Sequence, residues 1–266
     1  MNQRQDKYLE IRNRAFAQQI DLDTNLLETV GEYDSHQFLI NPAGQNIYLY
    51  LTSFVKLLSE YYFKRSIREL KILDWGCGKG HVSYLLNTLE AKPISCDLKS
   101  DDTDSSFGQQ TPIIDTYNIS VVELTHEYQL PFEDCSMDVV LSFGVLEHVP
   151  HDLKSLQEIN RILTPQGLFF CFNLPYKFSW TQNLAHLRGD YYHDRLYSKS
   201  GVSKLLQEND FEILDLWHRQ LLPKNNIKYP QYQLFESLDQ FLTKFTPFKY
   251  LATNIEFVAS KSNNLN

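Results

Sequence analysis

Short apolar runs alternate with amphipathic helical patterns through the middle of the chain, from Ile72 to Thr164. This alternation is typical of a parallel sheet whose strands are joined by crossover helices. The pattern predicts five strands, at residues 71–75, 93–97, within 119–124, 137–142 and 167–172. The fifth is almost entirely apolar, which indicates a central strand that is buried on both faces.

Two connecting helices are predicted from the same pattern. The first covers residues 80–89, where Val82 and three leucines share one face. The second is capped by Asp152 and runs to Leu163. It is followed by a turn signal, Thr164, Pro165 and Gly167.

The flanking segments have a different pattern. Residues 1–65 are predicted to be helical, with an amphipathic face made by Phe54, Leu57, Leu58, Tyr61 and Tyr62. Beyond the fifth strand we expect a helix over 198–209 and strands over 211–218 and 254–260. The stretches 174–197 and 221–250 have weak periodicity and many aromatic residues. We therefore expect a helical N-terminal cap over 1–65, and an α/β domain over 66–266 with these two stretches as covering segments.

Composition and charge narrow the class of protein. The 266 residues are 42% apolar, and 25 Lys and Arg against 33 Asp and Glu give a net charge of −8. That sign opposes binding to nucleic acid or to an anionic bilayer. No apolar run reaches the roughly 18 residues of a membrane span, and residues 1–26 do not resemble a signal peptide. The four widely spaced cysteines contain no CxxC pair, so we expect neither disulfides nor a metal site, and a cytoplasmic location.

A glycine-rich segment, residues 72–80, carries the most specific signal. An apolar strand leads into Gly76, Gly78 and Gly80 and then into a helix, so that the backbone can approach a ligand closely. The spacing is GxGxG, whereas a dinucleotide site has GxGxxG. Asp74 would place a carboxylate close to this turn, which suits a ligand with a cationic amino group better than a pyrophosphate.

Asp97 ends the second predicted strand, nineteen residues after Gly78. An acidic residue at this position can accept hydrogen bonds from both ribose hydroxyls of an adenosine. Its structural alternative is an Asx turn at the start of a loop. Together the glycine loop and Asp97 predict a ligand with an adenosine at one end and an amino acid at the other.

The chain resembles the class I S-adenosylmethionine-dependent methyltransferases, most closely the small-molecule enzymes that include those of ubiquinone and menaquinone biosynthesis. The motifs that carry the resemblance are Ile72 to Gly80 with Asp97, Leu130 to Val140, Leu146 to Val149, and Leu163 to Gly167. They cover residues 71–172, with a looser continuation to 260. The resemblance implies a Rossmann-like sheet of seven mostly parallel strands in which the last, 254–260, is inserted antiparallel.

The resemblance also implies a cofactor, S-adenosyl-L-methionine, and residues that hold it. The positions that match the family's binding motifs are Asp74, Gly76 and Gly78 for the methionine part, Asp97 for the ribose, Leu98 for the adenine face, and Ser142 and Phe143 beside the reacting methyl. The family's acidic residue for the adenine amino group has two candidates. We favour Glu123 over Glu127, and the alternative stays open.

Catalytic residues are harder to assign, because an in-line methyl transfer from a sulfonium needs alignment more than acid catalysis. A base is needed only for a hydroxyl or a protonated amine. His148 follows the fourth strand, although the Leu-Glu-His-Val motif can also be purely structural. His193 lies in a cluster after the fifth strand that also contains His186, Tyr191, Tyr192, Asp194 and Arg195, and its alternative is a solvated, salt-bridged loop.

Three function hypotheses follow. The first is a methyltransferase acting on a hydroxyl of a small molecule, with an amine or a carbon ranked below. The second is a methyltransferase for protein or nucleic acid, and the third is a catalytically silent domain that binds the cofactor beside a partner. Aromatic residues are concentrated outside residues 66–165, which favours an apolar or ring-bearing acceptor. The oligomeric state is left open, with a homodimer as one option.

Overall fold

The computed structural model of the protein describes residues 3–17, 42–98, 111–189, 193, 195–222 and 231–262. Its α-helices are α1 Gln3–Phe16, α2 Pro42–Phe63, α3 His81–Thr88, α4 Pro112–Thr116, α5 Asp152–Ile162, α6 Trp180–Leu187, α7 Lys199–Gln207 and α8 Gln231–Phe245. Its strands are β1 Ile72–Trp75, β2 Ile94–Leu98, β3 Val121–Leu124, β4 Met137–Phe143, β5 Leu163–Pro175, β6 Phe211–Arg219 and β7 Asn254–Lys261. Short 3₁₀ helices cover Ile67–Glu69 and Pro247–Leu251. Of the predicted helical region 1–65, residues 18–41 lie outside the described part.

The seven strands form one sheet in the order β3-β2-β1-β4-β5-β7-β6. Within the part β3-β2-β1-β4-β5 of this order, neighbouring strands pair in parallel. Strand β7 lies between β5 and β6 and is antiparallel to both. The predicted fold class, including the inserted antiparallel last strand, is confirmed. Because β1, β2 and β4 are adjacent and parallel, their carboxyl ends meet at one edge of the sheet.

The sheet is covered on both faces, and β5 shows how the sequence divides between them. Alternate side chains of a strand point to opposite faces. Phe170 and Phe172 belong to the core that contains α2, whereas Phe169 and Cys171 belong to the core that contains α5 and α7. Phe54 of α2 packs edge-on against Phe170, with 6.0 Å between ring centroids. This packing holds α2 across the face of the sheet and brings its first turns to the carboxyl edge.

The turn predicted at residues 164–167 does not precede β5 but lies within it. Leu163 pairs with Met137 and Leu168 pairs with Val139, so four residues of β5 stand opposite one residue of β4. Gln166 has a φ of 64°, which lets the chain bulge outward before pairing resumes. The turn residues therefore bend the strand without ending it.

Two other local predictions are wrong in detail. Asp152 is the first residue of α5 and not its N-cap, which is His151. The carboxylate of Asp152 instead accepts a hydrogen bond from the amide of Leu153 at 2.9 Å. The fifth strand, predicted to end at residue 172, continues to Pro175, and Asn173 lies inside it at a shift in the register with β7, with a φ of 61°. None of the described helices is long and apolar enough to cross a bilayer.

Candidate active site

The glycine loop begins where β1 ends, at the carboxyl edge of the sheet. Gly76 has a φ of 70°, and a Cβ at this position would lie 2.5 Å from Cγ2 of Val145. Only glycine fits this close approach without displacing its neighbour. The amides of Gly76 and Cys77 both donate to the carbonyl of Cys96, at 2.9 and 3.0 Å. The loop is thereby fastened to the end of β2.

The carboxylate of Asp97 connects this loop to β2. It accepts the amide of Gly78 at 2.6 Å and the amide of Leu98 at 2.8 Å. Burial raises the pKa of Asp97, and the two amide bonds oppose that effect. Gly78, Asp97 and Leu98 are thus brought together as predicted, and Leu98 is exposed at the strand end. The bond to Leu98 joins adjacent residues and is not an Asx turn, whose donor two residues on lies outside the described residues.

The two candidates for the adenine contact lie in different surroundings. Glu123 is on β3 and is the register partner of Asp97. Glu127 lies beyond the strand, exposed, with its carboxylate 3.6 Å from the imidazole of His151. The position of Glu123 favours it over Glu127, since it is the one beside the ribose candidate.

Asp74 is the most unusual charge at this edge. Its side chain is almost fully buried, and one oxygen accepts the hydroxyl of Ser83 at 2.6 Å. Burial raises the pKa of Asp74 to about 7, the Ser83 bond lowers it, and the charge of Asp97 raises it further. No basic side chain is among the described groups that shift this pKa. A cationic amino group would supply the missing counter-charge, and together with the Gly76 cradle this fits the methionine part of the predicted cofactor.

Ser142 and Phe143 lie at the end of β4, next to the end of β1. Ser142 is fully buried as the register neighbour of Trp75. Phe143 packs on Phe172 of β5, with 4.8 Å between ring centroids, and stacks at 6.0 Å on Tyr48 of α2. Phe143 therefore forms an aromatic wall with Tyr48 and Phe172 at the carboxyl edge, and Ser142 is buried beside it.

Tyr48 is a site residue that the sequence analysis missed. It is buried against His81, the first residue of α3, with 4.4 Å between the ring centroids. Burial raises the pKa of Tyr48 to about 12, and both Asp74 and Glu147 contribute to that shift. Its hydroxyl also bonds to the side chain of Asn173. The only sequence signal was helical spacing, which does not distinguish a site residue from core.

Asn173 on β5 connects α2 to β6 through its side chain. Its side-chain oxygen accepts a guanidinium N–H of Arg219 on β6. Arg219 also forms an ion pair with Glu256, which is fully buried on β7. The bulge at Asn173 aims this side chain along the carboxyl edge, where α2, β5, β6 and β7 meet.

The two catalytic candidates lie close together. The rings of His148 and His193 are 5.3 Å apart, and Nε2 of His148 is 3.9 Å from a carboxylate oxygen of Glu147. His148 is exposed, His193 is half-buried and Glu147 is buried. Burial raises the pKa of Glu147 to about 7. In the sequence, Glu147 is recognisable only as part of the Leu-Glu-His-Val motif.

Arg195 fixes the chain next to His193. Its guanidinium donates to the carbonyls of Val149 and Pro150, at 2.9 and 3.3 Å, and lies 3.6 Å from a carboxylate oxygen of Asp152. The predicted salt-bridged loop therefore exists, and it also brings His193 over the turn that follows β4. His186 is on α6. Tyr191, Tyr192 and Asp194 lie outside the described residues.

Comparison with known proteins agrees with this arrangement. A family model described as "Methyltransferase domain" matches residues 73–171. A Mycolicibacterium smegmatis protein, described as an S-adenosylmethionine-dependent methyltransferase, is 26% identical over 144 residues, covering 54% of this chain and 52% of its own. A ubiquinone/menaquinone biosynthesis C-methyltransferase of Brucella anthropi is 47% identical over 55 residues, 20% of each chain. These matches span about half or less of the relatives' length.

Solved structures support the fold. An S-adenosylmethionine-dependent methyltransferase of Thermotoga maritima superposes with a TM-score of 0.52 at 16% identity, covering 85% of this chain and 99% of its own. The motifs lie in family order on a sheet of the expected topology. Residues 73–171 are therefore similar in sequence and in fold to the class I S-adenosylmethionine-dependent methyltransferases, whose methyl donor is S-adenosylmethionine.

Proposed function

We propose that the chain transfers the methyl group of S-adenosylmethionine to a hydroxyl of a small apolar or ring-bearing molecule, with amine and carbon acceptors ranked below. The observation that carries the proposal is the buried Asp74, which lies on β1 directly before the glycine loop and has no basic residue among the described groups that shift its pKa. A carboxylate in that position needs a cation, and the methionine amino group is one.

The cofactor would lie along the carboxyl ends of β1, β2 and β3. Asp74, Gly76 and Gly78 would border its methionine part, Asp97 would bind the ribose, and Glu123 the adenine amino group. When bound, it supplies a methyl group activated by a positive sulfur leaving group. The side chains of the protein would then contribute to catalysis by aligning the acceptor and excluding water.

The aromatic wall suits an apolar acceptor. Tyr48, Phe143 and Phe172 form it. The Tyr48 hydroxyl is neutral near pH 7, and burial raises its pKa further, to about 12. His148 and His193 are close enough to each other to share in removing a proton from a hydroxyl. Further apolar side chains are exposed on the segments that follow β5 and β6, among them Phe178, Leu187, Phe241, Phe245 and Phe248.

The charges at this edge argue against a nucleic acid acceptor. Asp74, Asp97, Glu123 and Glu147 lie at the ends of β1 to β4 or just beyond them. Together with the net charge of −8, they would repel a polyanion. A protein acceptor and a catalytically silent cofactor-binding domain are less opposed by this charge, and activity assays separate them from the proposal.

Calorimetry with S-adenosylmethionine tests the cofactor assignment. We expect Asp97→Ala to weaken binding by about 1–3 kcal/mol, because a buried hydrogen-bonding pair is lost. Glu123→Gln should weaken it as well, while the matched Glu127→Gln should bind like the wild type because that side chain is exposed. No binding to a folded wild-type chain would refute the function. Methyl transfer to a panel of ring-bearing hydroxyl compounds tests the acceptor, and turnover only on protein would overturn it.

A further inference from the structure

We propose that Glu147, His148 and His193 form a binding site for a divalent first-row transition metal ion. This acid-histidine cluster lies just beyond the end of β4. One ligand atom from each side chain lies within 4.8 Å of the others. The carboxylate is at the bottom of the cluster and the exposed imidazole of His148 at its mouth.

The buried carboxylate of Glu147 is the observation that calls for a ligand. Its side chain is only 2% exposed, and Oε2 has no hydrogen-bond partner in the described part of the chain. A buried carboxylate oxygen without a donor costs several kcal/mol unless a cation, a water or a proton satisfies it. Gly144 lies beside the other carboxylate oxygen, since a Cβ there would be 3.5 Å from Oε1 of Glu147.

The donor set indicates which ion would bind. Two imidazole nitrogens and one carboxylate oxygen are typical of catalytic zinc and of other first-row metals with open coordination positions. Bond lengths near 2.0–2.1 Å place such donors roughly 3 Å from one another. The donors here span up to 4.8 Å, so the histidines must move inward on binding. The side chain of His148 is 56% exposed, which leaves room for this movement.

An open coordination position would face the proposed methyl-transfer site, and this step rests on the proposed function. Glu147 influences the pKa of Tyr48, and Gly144, which lies beside Glu147, directly follows Phe143 of the aromatic wall. A metal ion there would bind the acceptor oxygen and lower the pKa of its hydroxyl. With both imidazoles bound to the metal, neither acts as a base, so the proton passes to solvent. The new O–CH₃ bond forms as the S–CH₃ bond breaks, and the neutral thioether leaves.

Titration of the full chain with Co²⁺ tests the site, since its visible absorption reports nitrogen and oxygen ligands. We expect one equivalent to bind, with Zn²⁺ displacing it. Glu147→Gln and His193→Asn should each weaken binding at least tenfold. The matched control is His151→Asn, because His151 is an equally exposed imidazole three residues away that pairs with Glu127 at 3.6 Å. It should bind Co²⁺ like the wild type.

Calorimetry with S-adenosylmethionine on every variant serves as a folding control and separates the two proposals. No saturable change at millimolar Co²⁺ in a chain that binds S-adenosylmethionine would overturn the metal site and leave the proposed function intact. Equal Co²⁺ affinity in Glu147→Gln and the wild type would overturn it too. If Glu147→Gln does not fold, His148→Asn replaces it, since that side chain is exposed. Co²⁺ binding without any S-adenosylmethionine binding would instead refute the function.

Discussion

Replacing Asp74 by Asn should make the ligand-free protein more stable and the cofactor bind more weakly. The pKa of Asp74 rises from 3.8 to about 7 on folding, mainly through burial. The folded state therefore holds more protons than the unfolded state between these values, and stability falls as pH rises through this window. Above pH 7 the whole penalty is present, at roughly 4 kcal/mol for a shift of about three pKa units.

Asparagine keeps the shape of the side chain and can still accept the Ser83 hydroxyl, but it carries no charge. That hydrogen bond becomes weaker by about 1 kcal/mol. We therefore expect Asp74→Asn to gain about 2–3 kcal/mol in free energy of unfolding at pH 8. At pH 5 this gain should be smaller by about 2–3 kcal/mol. Glu147, whose pKa is also raised, is present in both proteins and cancels from the comparison.

Urea denaturation of both proteins at pH 5 and pH 8, without ligand, measures this difference. The control is Asp115→Asn, an exposed carboxylate on α4, which should change stability by less than about 1 kcal/mol at either pH. Calorimetry should show a large loss of S-adenosylmethionine affinity for Asp74→Asn alone. A variant less stable than the wild type at pH 8, or a difference that does not depend on pH, would refute the reasoning.

Two further substitutions test the loop and the packing of α2. Gly76→Ala should destabilise by about 1–3 kcal/mol more than Gly189→Ala in urea denaturation, because both glycines have positive φ but only Gly76 has a neighbour within 2.5 Å of the new Cβ. Equal losses would mean that Val145 moves aside freely. Phe54→Ala should lower the free energy of unfolding by about 3–5 kcal/mol, because the ring is fully buried against Phe170. Tyr61 lies on the same helix and is 38% exposed, so Tyr61→Ala should lower it by about 1 kcal/mol or less. Similar costs at both positions would contradict the packing of α2 on the sheet.

The sequence predicted the parts of the site that depend on local pattern. The glycine turn, Asp97 and the end of β4 follow directly from strand, turn and helix signals, and parallel pairing brings them to one edge. Tyr48 could not be predicted in this way, since its place at the site depends on how α2 crosses the sheet. Asn173 was missed for a related reason, because its direction depends on a bulge set by pairing with β7. Residues whose role depends on contacts distant in sequence leave no local pattern.

Two buried acids at this edge of the sheet, Asp74 and Glu147, share a property that bears on both proposals, whereas the buried Glu256 is paired with Arg219. Burial raises the pKa of Asp74 and of Glu147 to about 7, so each is costly to ionise in the ligand-free protein. Neither has a basic residue of the described chain among the groups that shift its pKa. A fold selected only for stability would replace such groups with neutral ones, since an uncompensated buried charge is strongly unfavourable. Their presence is explained if each meets a cation that arrives with a ligand: an amino group at Asp74 and a metal ion at Glu147. On this argument the cofactor stabilises the protein by relieving the charge that the apo fold leaves unbalanced at Asp74, and this stabilisation should grow as pH rises through 7.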